Sequence, residues 1–404
     1  MEALDRKFLE LGAENAPGQE VRQDNKALIS LTLGESLDGV PVDFSHGDVD
    51  AFPPTPGALE AWQTGYDRGG QQAYTEYRGD SDIRDDVAKR LAEFTGAPLA
   101  SDQELIITPG TQGALFLALG SVVETGTKVA VVEPDYFANR KLVRFFNGEV
   151  VPIPLTYGMQ AGNNGPDMAI LEEAFKSGTR VMVFSTPNNP TGLIYSQSNI
   201  DQIAELASRY GVTVIVDQLY SRMLYSGETY CHLRACSAAP ENIITIMGPS
   251  KTESLSGFRL GVAFGTSKLI ERMEKLQAIV SLRAAGYNQA ALSTWFVEPD
   301  GWLADRITKH QAIRDDLLKV FRSAGLKTAT PQGGSYIFPE LPALIHEPDI
   351  FTRLLRSQAN VTVTPGAEFG PRSDNSIRLN FSQDHDAAVA AAHRIVELVE
   401  RYRA

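Results

Sequence analysis

Cysteine is scarce in this chain, with only Cys231 and Cys236 in 404 residues. Two thiols cannot staple a fold of this length, so a disulfide-framed secreted domain is excluded and two reduced thiols in a cytosolic protein are expected. With only His232 beside the first and no second ligand pair, they do not read as a zinc site, and no other metal is expected. Positive charge is also short: 37 Lys and Arg stand against 50 Asp and Glu, a net charge of −13. That balance argues against nucleic acid or an anionic membrane as the main partner, while leaving room for a local basic pocket. No apolar run approaches the roughly 20 residues needed to cross a bilayer. The polar, acidic start of the chain does not make a signal peptide. A cytoplasmic protein is expected.

What is present is an ordinary globular composition, 43% hydrophobic and 22% charged, in a chain too long for one small core. From Glu104 onward, strands and helices alternate. Glu104–Thr108, Lys128–Val132, Val150–Pro154, Arg180–Ser185, Val212–Asp217, Ile243–Met247 and Leu260–Phe264 read as strands. Between them, Gln112–Val123, Phe137–Phe146, Met168–Lys176 and Ser198–Tyr210 read as helices. Near-continuous apolar strands separated by helices predict a mainly parallel, seven-stranded sheet covered on both faces. Asp80–Thr95 is a further helix, with Ile83, Val87, Leu91 and Phe94 at helical spacing. After the helices Leu269–Val280, Asn288–Phe296 and Pro299–Ala324 the pattern changes. Lys327–Ala329, Gly334–Phe338, Val361–Pro365 and Ile377–Phe381 are short strands, flanked by helices Pro348–Ser357 and His385–Tyr402. The expected architecture is α/β: a large domain over 58–300 and a smaller α+β domain over 301–404, joined by residues 1–57.

Chemistry gathers in Ile243–Gly265. The apolar run Ile243–Met247 stops at Gly248-Pro249-Ser250, and Lys251 follows. The lysine thus leaves the carboxyl end of a strand, where open α/β sheets place their ligands. Eight residues on stands Arg259. A lysine amine, hydroxyl residues and an arginine in that order suit a cofactor that bears a carbonyl and a phosphate. Alone, the same residues read rather as a solvated loop lysine beside a surface arginine, since most lysines are exposed. The rest of the chain tips the balance. Pro109-Gly110-Thr111-Gln112 lies between a strand and a helix, where N–H groups and the Thr111 hydroxyl make either a phosphate cradle or a plain cap. Pro134-Asp135-Tyr136 offers an aromatic ring after the next strand, and Pro187-Asn188-Asn189-Pro190-Thr191-Gly192 shapes a turn after another. Asp217 puts a carboxylate at the mouth of an apolar strand, and Tyr220 follows three residues later.

In this order and spacing the motifs resemble the fold-type-I pyridoxal-phosphate enzymes, specifically the class I/II aminotransferase family, from about Asp43 to the C-terminus. The resemblance implies pyridoxal 5′-phosphate as cofactor. It makes Lys251 the Schiff-base lysine, Arg259 the phosphate arginine, and Gly110, Thr111 and Gln112 the phosphate turn, with Ser250 beside them. Tyr136 matches the residue that stacks on the pyridine, and Asn189 and Tyr220 those that hydrogen-bond its phenolic oxygen. Asp217 matches the carboxylate that keeps the pyridine nitrogen protonated, which makes the ring an electron sink. Tyr74 matches a tyrosine that reaches the phosphate across a subunit interface, implying a homodimer with shared sites. On the substrate side, Arg378, in Arg378-Leu379-Asn380-Phe381 after Pro365–Gly370, matches the bidentate clamp for an α-carboxylate. Asn189 and Gly47 would face the substrate too, and His46 beside Gly47 reads as a loop histidine. Arg283 stands where aspartate aminotransferases carry an arginine that binds a side-chain carboxylate in the neighbouring site; a structural role is the alternative. One departure is Gly248, where the family commonly has a serine or threonine.

The implied reaction moves an amino group from an L-amino acid to a 2-oxo acid, with Lys251 as general base and ping-pong kinetics. Two other readings stay open at this point. A lyase, cyclase or oxidase on the same cofactor would use the same residues. A ligand-sensing domain of this fold would need an attached DNA-binding module, for which the N-terminal segment leaves little room.

Overall fold

The structure is a computed structural model that describes residues 2–12, 18, 26–158 and 164–404. Its strands, in chain order, are Val42–Asp43 (β1), Leu105–Pro109 (β2), Lys128–Glu133 (β3), Glu149–Thr156 (β4), Gly165–Pro166 (β5), Val181–Ser185 (β6), Thr213–Asp217 (β7), Ile243–Met247 (β8), Leu260–Gly265 (β9), Tyr336–Ile337 (β10), Val361–Thr362 (β11), Thr364–Pro365 (β12) and Ile377–Asn380 (β13).

One sheet has the order β2-β9-β8-β7-β6-β3-β4-β5. It holds the seven expected strands plus β5, a two-residue edge strand antiparallel to β4 and too short to carry a period in the sequence. Helices link β3 to β4, β4 by way of β5 to β6, and β6 to β7, and a 25-residue connection with a 3₁₀ turn at Leu233–Ala235 links β7 to β8, so β4, β3, β6, β7 and β8 run parallel. By contrast, β9 runs antiparallel to both β8 and β2. The segment between β8 and β9 contains only a 3₁₀ turn at Ser256–Phe258, so the chain turns straight back. Every residue of β6 and β8 is buried, because helices cover both faces. Gly110–Val122 and Ser267–Val280 lie on one side, where Leu115, Ala118, Leu269 and Met273 share a core with Val183 and Ile244. Met168–Lys176 and Gln197–Tyr210 lie on the other, with Leu171 and Ile203 against Met182 and Val214. The second of these helices opens with a full capping box, Ser196 and Asn199 each satisfying the other's backbone.

Beyond the sheet, the long helix begins at Trp302, after Gly301 at φ 80°. The segment expected as one helix over 288–296 is a single turn, Gly286–Gln289, followed by 3₁₀ residues Ala290–Thr294. Lys327–Ala329 is not a strand, and only Tyr336–Ile337 of the Gly334–Phe338 run pairs. Val361–Pro365 breaks at Val363 into two strands with different partners, β11 on β1 and β12 on β13. Strand propensity marked these stretches, but the partners within reach set how much of each pairs. Val42, Phe44 and Phe52 pack into one core with Ile313, Phe351, Leu379, Ile395 and Val399, and Tyr225 joins them. Within the segment expected to join that unit, residues 13–17 and 19–25 lie outside the described residues. Among the described residues, no helix is long and apolar enough to cross a membrane.

Candidate active site

Strand order reverses between β3 and β6: β3 leads outward to β4 and β5, while β6 to β9 build the other side. At that reversal the carboxyl ends of the parallel strands open on a cavity of about 230 Å³. Its wall brings together ten of the expected residues: Thr111, Gln112, Tyr136, Asn189, Asp217, Tyr220, Ser250, Lys251, Arg259 and Arg378. Gly47 lines an adjoining cavity that also touches Lys251.

At one end the wall is built for an anion. Gly110 has φ +77°, and a Cβ there would stand 2.5 Å from Arg259 Nη2, so glycine leaves the guanidinium its place. Arg259 itself holds φ 54°, a left-handed conformation that few arginines adopt and that often marks a functional position. Close backbone contact between Gly261 and Gly110-Thr111 brings the two loops together. Gly248, the departure from the expected pattern, has a physical reason: a Cβ there would lie 3.0 Å from Thr111 Cγ2 and 3.1 Å from the Leu260 carbonyl. The hydroxyl of Ser250, which donates to the Leu260 carbonyl at 3.3 Å, stands beside it.

Deeper in, Asp217 closes β7 and accepts from the Leu219 N–H at 3.1 Å. Burial pushes its carboxyl up to about 6. The strand register sets Ser185 beside it. A second buried carboxyl, Asp135, accepts from the Ser185 hydroxyl, from the Ser185 N–H at 2.9 Å and from the Tyr136 N–H at 2.6 Å. Burial pushes it up to about 8, against the pull of those bonds. The Ser185 hydroxyl also accepts from the Asn189 N–H at 3.1 Å. One buried acid therefore fixes the start of the Tyr136 helix and the Asn189 turn together. Asp135 and Ser185 escaped sequence reasoning. Asp135 sat inside a quoted motif, but nothing in the sequence placed Ser185 against it. Tyr136 donates to Gln112 Oε1 at 2.9 Å, and Tyr220 donates to the hydroxyl of Tyr336 at 2.7 Å. Tyr336 is a wall residue from the C-terminal part of the chain that the sequence did not single out.

Arg378 is 2% exposed. Its Nη1 donates to Asn189 Oδ1 at 3.2 Å and its Nη2 to the Ser45 carbonyl at 2.8 Å. Tyr336 and Phe369 lie against the guanidinium, 4.4 and 4.9 Å from their ring centres. Its Nε has no partner among the described residues. Tyr74 and Arg283 do not line this cavity. They sit together elsewhere, with the Arg283 guanidinium 5.8 Å from the Tyr74 ring and 5.5 Å from Tyr77. Tyr74 is 81% exposed.

These groups can receive pyridoxal 5′-phosphate. Thr111, Ser250 and Arg259 offer hydroxyls and a fixed cation to a phosphate, in a cradle that a side chain at Gly110 would fill. Asp217 offers a carboxyl whose raised pKa shows that it lacks a cationic partner. Lys251 offers an amine between the two ends, and Arg378 a buried cation with one donor to spare.

The comparisons with known proteins agree with this geometry. A crystal structure of an aspartate aminotransferase from Rhodobacter sphaeroides superposes with a TM-score of 0.95 at 61% identity, over 99% of this chain and 100% of that one. Aspartate aminotransferase of Pyrococcus horikoshii is 28% identical over 81% of this chain and 83% of its own length. Aspartate/prephenate aminotransferase of Thermus thermophilus is 26% identical over 96% and 95%. With the model for aminotransferase class I and II matching residues 41–395, the chain belongs to that family of pyridoxal 5′-phosphate-dependent aminotransferases.

Proposed function

We propose that this aminotransferase takes its amino group from an acidic L-amino acid, aspartate or a close analogue, and passes it to a 2-oxo acid. We propose further that it works as a homodimer in which each subunit completes its neighbour's site. The single observation that carries an amino-acid substrate is Arg378, buried, with Nε lacking a partner among the described residues, on the wall of the cavity that holds Lys251. A buried guanidinium short of one acceptor suits a carboxylate ligand. The name carried by the Rhodobacter relative supports the acidic donor. Support for shared sites comes from Tyr74 and Arg283, which pair with each other at a distance from the cavity of their own chain.

In this reading Thr111, Ser250 and Arg259 hold the phosphate, Tyr136 covers the ring, and Asn189 and Tyr220 hold its phenolic oxygen. Bound there, the cofactor supplies an aldehyde that condenses with amines and a ring that accepts the electron pair left at Cα. Asp217 would hold the protonated ring nitrogen, which would give the buried carboxylate a cationic partner. Arg378 clamps the α-carboxylate and so orients the Cα–H bond. Lys251 Nζ would take the Cα proton as a base and, once protonated, would deliver it as an acid to the cofactor's C4′ carbon. Arg283 and Tyr74 of the neighbour would reach the substrate side chain and the phosphate. We assign residues 58–300 to the cofactor-binding domain and 301–404, with 1–57, to the smaller one. We also read the protein as cytoplasmic, supported by two free cysteines.

Adding a panel of amino acids to the purified enzyme tests the reading. Aspartate or glutamate is expected to shift the cofactor's absorbance to the amine form and to yield one equivalent of 2-oxo acid. No shift with any donor would overturn the reading.

A further inference from the structure

His46 belongs to the wall of two cavities at once. One is the cavity described above. The other, about 200 Å³, also touches Lys251 and is bounded by Gly47, Ser335, Asn380 and Ser382. The histidine ring is engaged at both nitrogens: Nδ1 is 3.1 Å from the Gly47 carbonyl and Nε2 is 3.4 Å from Asp43 Oδ2. The Asp43 carboxylate beside Nε2 raises the ring's pKa and so favours the form with N–H on both nitrogens, the cation.

The turn carrying this cation is rigidly held. Asp43 Oδ1 accepts the Ser45 N–H at 2.8 Å. Gln383 Nε2 donates to the Asp43 and His46 carbonyls at 3.0 and 2.6 Å. The Ser45 carbonyl takes Arg378 Nη2. The imidazolium is therefore fixed relative to the arginine assigned to the α-carboxylate. Arg378 and His46 thus stand on one wall with Lys251. Facing His46 are Asp43, which raises its pKa through their hydrogen bond, and Lys251, which with burial opposes that rise. Asp48 on the same rim accepts from the N–H groups of Asp50 and Ala51 through Oδ1 and is, among the described residues, the one carboxylate there besides Asp43. The ring remains 62% exposed within one chain, so a ligand can reach it.

We propose that His46 is a specificity-determining residue that attracts the distal carboxylate of a dicarboxylic substrate from the same subunit that supplies Arg378. This rests on the acidic-donor reading and adds to it a reader other than the neighbour's Arg283.

The test is calorimetric titration of the holoenzyme with succinate, a dicarboxylate, and with butyrate, a monocarboxylate of equal length. In the wild type the succinate-to-butyrate affinity ratio should fall as pH rises through the His46 pKa, because the cation is lost there. His46→Gln should lower that ratio roughly two- to fivefold, the worth of one partly exposed ion pair, with butyrate affinity unchanged. His46→Lys should restore the ratio and remove its pH dependence, which a merely structural histidine would not do. An unchanged ratio in His46→Gln, together with loss of the ratio in Arg283→Ala, would overturn the role of His46 and leave the acidic-donor reading standing. No preference for succinate in the wild type would overturn both.

Discussion

Gly110 and Arg259 share one space, such that a single methyl group on the first would stand 2.5 Å from Nη2 of the second. Gly110→Ala should therefore push the guanidinium aside and strain a backbone that sits at φ +77°. Losing one charge-assisted contact, worth about 1.5–3 kcal/mol, weakens cofactor binding by roughly ten- to a hundredfold. Equilibrium titration of cofactor-stripped enzyme checks this, with the far-ultraviolet circular dichroism expected to stay that of the wild type.

Asp217 gives a prediction whose sign depends on pH. Burial raises its carboxyl from 3.8 to about 6, so the folded, cofactor-free chain holds that proton more tightly than the unfolded chain. Stability then falls as pH rises between those two values, and above about 6 the whole cost of the buried charge is present. Asp217→Asn removes the cost and keeps an acceptor for the Leu219 N–H. At neutral pH the cofactor-free variant should be more stable by up to about 3 kcal/mol, and near pH 4 it should gain almost nothing. Urea unfolding at the two pH values measures this, and transaminase turnover should be lost at both.

The same residue shows what the sequence could tell. Asp217 and Lys251 could be placed at the carboxyl ends of strands because each follows an apolar run, whereas Asn189 was singled out by a turn motif, and the part assigned to each came from resemblance. Tyr336 was not legible, since it meets Tyr220 from 116 positions along the chain, a distance no local pattern spans. Nor was the grip of Asp135 on Ser185, which depends on strand register and three-dimensional neighbours rather than on spacing. The two-residue strands β1, β5, β10, β11 and β12 carry no period to read. Tyr74 and Arg283 were singled out by resemblance alone, and within a single chain they lie apart from the cavity.

Arg222 is the hub of a buried ion group behind the catalytic lysine. It donates to Glu298 at 2.7 and 2.9 Å and to Glu253, with the Phe296 ring 4.1 Å away. Arg222 lies two residues beyond Tyr220 and Glu253 two beyond Lys251, so the group ties both segments together. Arg222→Ala leaves two carboxylates buried without their cation and should destabilise the fold by about 3–5 kcal/mol. Glu253, already pushed up to about 7 by burial, can then take a proton, so the loss should shrink in acid. Thermal melts across the pH range follow it.

Hybrid dimers test the shared site. Lys251→Ala and Tyr74→Phe homodimers should each be impaired, the first nearly inactive and the second weak in cofactor binding. In a mixed dimer, one of the two sites draws its lysine from one subunit and its tyrosine from the other, so it is intact. Activity recovered on mixing, beyond that of either parent, is the expected result. No recovery, despite exchange of subunits seen by native mass spectrometry, would place both residues in one subunit's site.

The bond between the Ser45 carbonyl and Arg378 spans 333 positions, and β1 finds its partner only in β11. A chain still emerging from the ribosome can lay down its central sheet and expose Lys251, but the roof over that amine waits for the final stretch to be made. Contacts of such long range form slowly. Loss of the last hundred residues would thus leave the reactive amine uncovered in an otherwise assembled sheet. In the proposed reading the substrate side of the site, which rests on Arg378, is therefore completed last, after every side chain assigned to the cofactor.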